Sequence, residues 1–157
     1  MKRIVKIRLL ILFFIVATIL SGVTAFPLQT ELNWLLQYRN KMPEGMGNWL
    51  QSCYSVLVDT NQKYPMLMYG YDWLAFAHIV IATAFVGPLI NPVKNIWVIE
   101  WAMIACVMVW PLALICGPIR SIPAYHIFID CCFGIFGLII LAICRRWIKK
   151  LEHESTA

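Results

Sequence analysis

Charge is scarce in this sequence. Asp, Glu, Lys and Arg make up 13% of its 157 residues, about half of the roughly 25% common in a water-soluble domain. That scarcity excludes a soluble globule, and it excludes a disordered chain, which needs charge to stay solvated. Nucleic acid is excluded as a partner, because the formal net charge of +5 rests on too few residues to line a basic groove. No Cys-x-x-Cys pair, glycine-rich phosphate loop, Ser/His/Asp order or metalloprotease helix occurs. The sequence signatures of nucleotide binding, hydrolysis and zinc chemistry are therefore missing, and no catalytic residue, metal set or cofactor is assigned.

What is present in their place is apolar residues in long runs. Hydrophobic residues form 61% of the chain, and its mean hydropathy is +0.74. Between Arg8 and Glu31 lie 22 residues without a charge, and between Asp72 and Lys94 another 21. Crossing a bilayer takes about 20 apolar residues in a helix. The chain is therefore expected to be an all-α integral membrane protein of one domain with the lipid bilayer as its main partner. Four transmembrane helices are expected in a bundle, over about 9–26, 73–90, 96–117 and 125–144.

Lys and Arg are retained on the cytoplasmic side of membrane proteins. With the N-terminus inside, that side holds Lys2, Arg3, Lys6, Arg8, Lys94, Arg145, Arg146, Lys149 and Lys150, nine of the 13. All six Tyr then fall at or beyond the outer interface, and Trp97, Trp101 and Trp147 mark the inner one. Both termini are expected in the cytoplasm, with an outer loop over 27–71 and a tail over 145–157. The first run also fits a secretory signal ending at Val23-Thr24-Ala25. A retained anchor is the reading adopted, because the uncharged run continues past Ala25 to Thr30.

Two short amphipathic helices are expected in the outer loop. Leu28, Leu32, Leu35 and Leu36 repeat at helical spacing up to the Met42–Gly47 break; a second helix is capped by Asn48 and presents Trp49, Cys53, Val56 and Leu57. Cys106 and Cys144 lie in lipid-embedded runs, where thiols act as small apolar groups. Cys53, Cys116, Cys131 and Cys132 all belong near the outer leaflet and are candidate redox thiols. The four-helix plan is similar to that of disulfide-generating quinone reductases, although their Cys-x-x-Cys is absent here.

Charges in a membrane helix cost a few kcal/mol each, so each is a functional candidate. His126 and Asp130 share one helix face, which Gly134 and Gly137 continue, and Asp72, Ala75, His78 and Ala82 form a second small, polar stripe. With Arg120 in the Gly117–Arg120 turn above, His78, His126, Asp130 and Asp72 are expected to form an intramembrane polar cluster. Arg120 is the expected partner of Asp130 or Asp72. Glu100 is a separate candidate, expected to pair with Lys94. Pro111 is expected to kink the third span.

The strings YGYDWLAFAHIVIA from Tyr69 and GPIRSIPAYHIFIDC from Gly117 resemble those of small bacterial four-helix inner-membrane proteins of uncharacterised activity. The resemblance covers roughly the last 90 residues and implies a bacterial inner membrane and no particular chemistry. The expected function is a structural, accessory or regulatory membrane component, with other membrane proteins or a second copy as further partners. One alternative is a redox protein, using thiols or a haem held by His78 and His126. Another is proton or ion movement along His78, Asp130 and Glu100.

Overall fold

The computed structural model describes residues 2–156, and every regular element among them is helical. In chain order these are α1 (Lys2–Ala25), α2 (Leu28–Leu36), a 3-10 turn (Arg39–Lys41), α3 (Glu44–Lys63), α4 (Pro65–Ala84), α5 (Val86–Ile90), α6 (Ile96–Ile119) and α7 (Ala124–Thr156). Four stretches are long and apolar enough to cross a membrane: Arg3–Ala25, Pro65–Ile90, Ile96–Ile119 and Ala124–Glu154. In hydrocarbon a backbone has no water to bond, so a helix that satisfies its own N–H and C=O groups is the form such runs adopt.

The helices run further than their apolar cores. Pro65 opens α4 at the first helical position, where a missing N–H costs nothing. Tyr69, Tyr71 and Asp72 are therefore helical instead of belonging to a loop. At the other end of the chain, α7 continues through the tail expected over 145–157 as far as Thr156. Lys149 donates to Glu152 at 2.9 Å, and Arg3 pairs with Glu154. The second span is broken in two at Phe85, because Pro88 has no N–H to offer the Ala84 carbonyl. By contrast α6 runs unbroken through Pro111 and Pro118.

By their contacts the residues form two compact units, one of residues up to Ile15 with those from Thr83 onward, the other Val16–Ala82. In the first unit, Ile7 and Ile11 of α1, Ile99 and Ala102 of α6, and Leu141, Cys144 and Ile148 of α7 are buried around Phe85. The rings of Phe14 and Phe85 stack at 5.4 Å. Asn91–Asn95 links α5 to α6 through side-chain bonds. Asn95 donates to the Gly87 and Asn91 carbonyls, and Asn91 accepts from the Lys94 N–H. Arg8 donates to the carbonyls of Leu89 and Ile90 at 3.1 Å each, satisfying acceptors that the end of α5 leaves open.

α6 and α7 pack antiparallel along their length. Their connection is a Schellman closure: Ser121 takes φ 55°, its N–H bonds the Pro118 carbonyl, and the Ile122 N–H bonds the Gly117 carbonyl. Down the seam, Gly117 meets Ile127, Trp110 donates to the Cys131 carbonyl at 3.3 Å, and Gly134 and Gly137 meet Cys106. A Cβ on Gly134 would stand 2.7 Å from the Cys106 carbonyl oxygen and 2.8 Å from Trp110 Nε1.

In the second unit, Gly22 of α1 meets α4 in the same manner, its position 2.7 Å from the Ala75 carbonyl oxygen for a Cβ. α2 and α3 are joined by a bond from Asn61 to Gln29. Asn48 does not cap α3, which begins four residues earlier after Pro43; its side chain accepts from Arg39 at 2.7 Å. The Arg39 side chain lies over Gly47, so Gly47 and Leu50 form the buried face while Val56 is exposed.

Gly134→Ala is expected to lower stability in detergent by about 1–3 kcal/mol, because the added methyl must push α6 from α7. Gly70→Ala, with nothing within 4 Å of its position, should be neutral or gain up to about 1 kcal/mol from helix propensity. Thermal unfolding of the two variants checks the contrast, and equal effects would refute a close seam.

Candidate functional site

Two pairs of ionisable side chains stand in the apolar helices, Glu100 with Arg145 and His126 with Asp130. Glu100, one turn into α6, accepts from Arg145 Nε at 2.7 Å across the seam to α7. The expected partner Lys94 does not take it. Antiparallel packing explains the difference, since it brings the start of one long helix to the far part of the other, while Lys94 belongs to the turn before α6. Lys94 and Glu100 are close in sequence, but Arg145 approaches on the packed face. A guanidinium also holds a carboxylate more firmly than an ammonium does, through directional N–H bonds.

At the opposite end of α7, His126 Nε2 lies 3.9 Å from Asp130 Oδ1. The separation is too long for a hydrogen bond, and it is an ion pair only while the imidazole is protonated. Both side chains are half-exposed. Among the described residues Arg120 makes no ion pair with Asp130. It caps α6 through its backbone, where the Schellman closure directs the chain, and its side chain is exposed. The Gly134 and Gly137 positions below lie against α6.

Asp72 and His78 belong to the other compact unit. His78 is exposed, and its Nδ1 lies 3.0 Å from the Leu74 carbonyl of its own helix, a bond that satisfies one ring nitrogen locally. Its backbone side is close to Gly22, and Ala75 and Ala82 of the same stripe are buried. Asp72 lines a shallow depression of about 290 Å³ with Phe26, Tyr69, Trp73 and Phe76. Edge-to-face contacts at 6.1 Å order the rings of Tyr69, Trp73 and Phe76.

All six cysteines are free thiols. Cys53 is half-buried on α3, and its desolvation raises the thiol pKa above the usual value, which depletes the nucleophilic thiolate near neutral pH. Cys131 and Cys132 are half-buried, and Cys116 is exposed at the end of α6. Among the described residues no group of three or more His, Cys, Asp or Glu is placed to hold a metal ion.

Two further concavities flank the Glu100–Arg145 pair. One, of about 440 Å³, follows the seam and is lined by Glu100, Met103, Ile104, Val107, Met108, Leu138 and Arg145. The other, of about 400 Å³, is lined by Ile143, Arg145, Arg146, Trp147, Lys149 and Lys150. Neither was legible in the sequence, where Arg145–Lys150 reads only as a cluster that orients the last helix. No protein-family model, curated protein or solved structure matches the chain.

Glu100→Gln and Arg145→Gln are each expected to destabilise the protein, with a coupling of about 1 kcal/mol between them, in the range of a charge-assisted hydrogen bond. Lys94→Gln with Glu100→Gln should show coupling below about 0.5 kcal/mol. Unfolding of both double-mutant cycles in detergent measures the two couplings, and a larger value for the Lys94 pair would reverse the assignment.

Proposed function

We propose that this chain is a multi-pass protein of a bacterial inner membrane, with both termini cytoplasmic, and that it serves as a structural, accessory or regulatory component without catalytic machinery of its own. The observation that carries the reading is the four helices long and apolar enough to cross a membrane, joined to buried positions that are apolar throughout the described residues. A bilayer is the solvent for such a chain. The side chains with titratable chemistry support the non-catalytic part. Glu100 has Arg145, His126 stands by Asp130, and His78 bonds its own helix. Contacts of this kind neutralise or satisfy polar groups that hydrocarbon would otherwise strand, and the Glu100–Arg145 pair also joins α6 to α7.

The Lys and Arg distribution supports the orientation, since nine of the 13 then lie inside. On this reading the four helices form a bundle, and α2 and α3 lie in the outer segment between the first two spans. Other membrane proteins or a second copy would meet its lipid-facing sides.

Reporter fusions at residues 50, 93, 122 and 157, with visible spectra of the purified protein, test the proposal. A periplasmic reporter should be active at 50 and 122, a cytoplasmic one at 93 and 157, and the protein should be colourless. Periplasmic activity at 157 would overturn the orientation. A Soret band lost in both His78→Ala and His126→Ala would replace the accessory reading with a haem protein.

A further inference from the structure

The two concavities beside Glu100 and Arg145 differ in chemistry and share a residue. The seam groove is apolar for most of its length, lined by Met103, Ile104, Val107, Met108 and Leu138, and its only charged lining is the Glu100–Arg145 pair at one end. From Glu100 to Met108 the α6 backbone rises about 12 Å, close to the depth of one leaflet of a hydrocarbon core about 30 Å thick. Ile104, Val107 and Met108 are exposed, so the groove opens sideways, toward lipid in a membrane. Arg145 also lines the second concavity, with Arg146, Trp147, Lys149 and Lys150. The apolar groove and the basic pocket thus meet at Arg145, which lines both.

The charges in that pocket are unevenly compensated. Arg145 spends Nε on Glu100, and Lys149 is matched by Glu152. Arg146 and Lys150, four residues apart and so on one face of α7, have no ion-pair partner among the described residues. Trp147 stands between them in sequence, packed on the buried core at its other edge. A tryptophan so placed beside two uncompensated cations, at the end of an apolar run, has the composition of a headgroup site.

We propose that this groove and the pocket sharing Arg145 with it together bind an anionic phospholipid. One acyl chain lies along Met103, Ile104, Val107, Met108 and Leu138, and the phosphate is held by Arg146 and Lys150 with the terminal nitrogens of Arg145. The charge complementarity selects an anionic headgroup over a zwitterionic one, because a headgroup cation would meet two uncompensated cations of the protein. The apolar half selects a lipid over free phosphate. The inference goes beyond the proposed role and rests only on its membrane-spanning part.

The test uses full-length protein in a neutral detergent, with dioleoyl phosphatidylglycerol, dioleoyl phosphatidylcholine and inorganic phosphate as probes, read by native mass spectrometry and thermal shift. Phosphatidylglycerol should stay bound and raise Tm, phosphatidylcholine should bind far less, and inorganic phosphate should neither bind nor displace the lipid. Arg146→Gln with Lys150→Gln should weaken phosphatidylglycerol binding about 30-fold, from about 1 kcal/mol per basic residue. Arg39→Gln with Lys41→Gln removes the same charge elsewhere and should leave binding unchanged. Ile104→Trp with Met108→Trp, which fills the groove but keeps every cation, should also lose the lipid.

Circular dichroism shows whether each variant keeps its helix content, and the two routes to loss are independent, so misfolding of one variant leaves the other decisive. Equal retention of the two lipids, full binding by the Arg146/Lys150 variant, or displacement by inorganic phosphate would overturn the site. Release of the protein from membranes by alkaline carbonate would overturn the membrane reading itself, which distinguishes the two failures.

Discussion

The close approach of α6 and α7 sets most of what this molecule can do. Gly134 and Gly137 carry no side chain where Cys106 and Trp110 pass, and that absence lets two long apolar helices meet over several turns. Between helices surrounded by lipid there is little hydrophobic driving force, so contact of this kind and interhelical hydrogen bonds have to hold them. Trp110 supplies one such bond to the Cys131 carbonyl, and Arg145 supplies the charged one to Glu100. The antiparallel register that aligns the glycines with Cys106 also brings Arg145 to Glu100. Ser121 begins that register, turning the chain in a left-handed conformation that a non-glycine residue adopts at a cost of about 1–2 kcal/mol.

The polar groups follow from this geometry. A carboxylate one turn inside an apolar helix is tolerable when a guanidinium from the neighbour reaches it, and the pair then caps a groove that the seam cannot fill. The exposed apolar side chains along that groove belong to a surface that water would not wet. Their exposure and the scarcity of charge express one property, a surface composed for hydrocarbon. By comparison the His126–Asp130 pair is loose and half-exposed, with protonation deciding whether it is an ion pair at all.

The apolar runs were readable because length and lack of charge decide a membrane helix almost alone, and the four long helices appear where Leu9–Phe26, Trp73–Ile90, Ile96–Gly117 and Tyr125–Cys144 place them. Their ends were less readable. Pro65 as a helix start, the interruption at Phe85 and the extension of α7 to Thr156 depend on single backbone groups and on ion pairs outside the runs. The partner of Glu100 was not readable, since Arg145 lies 45 positions away and only the register selects it over Lys94. Asn48 resembles a helix cap in sequence; Arg39, folded over Gly47, claims its side chain. The basic pocket was hidden for another reason: a positive cluster after a span already has a topological explanation, and only the lack of an ion-pair partner for Arg146 and Lys150 among the described residues adds to it.

The seam is the claim on which the ion pair and the groove both depend, and oxidative cross-linking tests it in the membrane. A Cβ at position 137 stands 2.8 Å from Cys106 Sγ, a separation that suits a disulfide. With Cys53, Cys116, Cys131, Cys132 and Cys144 replaced by Ala, Gly137→Cys should form a bond to Cys106 on mild oxidation, detected by mass spectrometry as a linked peptide pair. Phe136→Cys, on the exposed side of α7, should remain a free thiol. Cross-linking at 136 instead of 137, or at neither, would contradict the packing of α6 on α7.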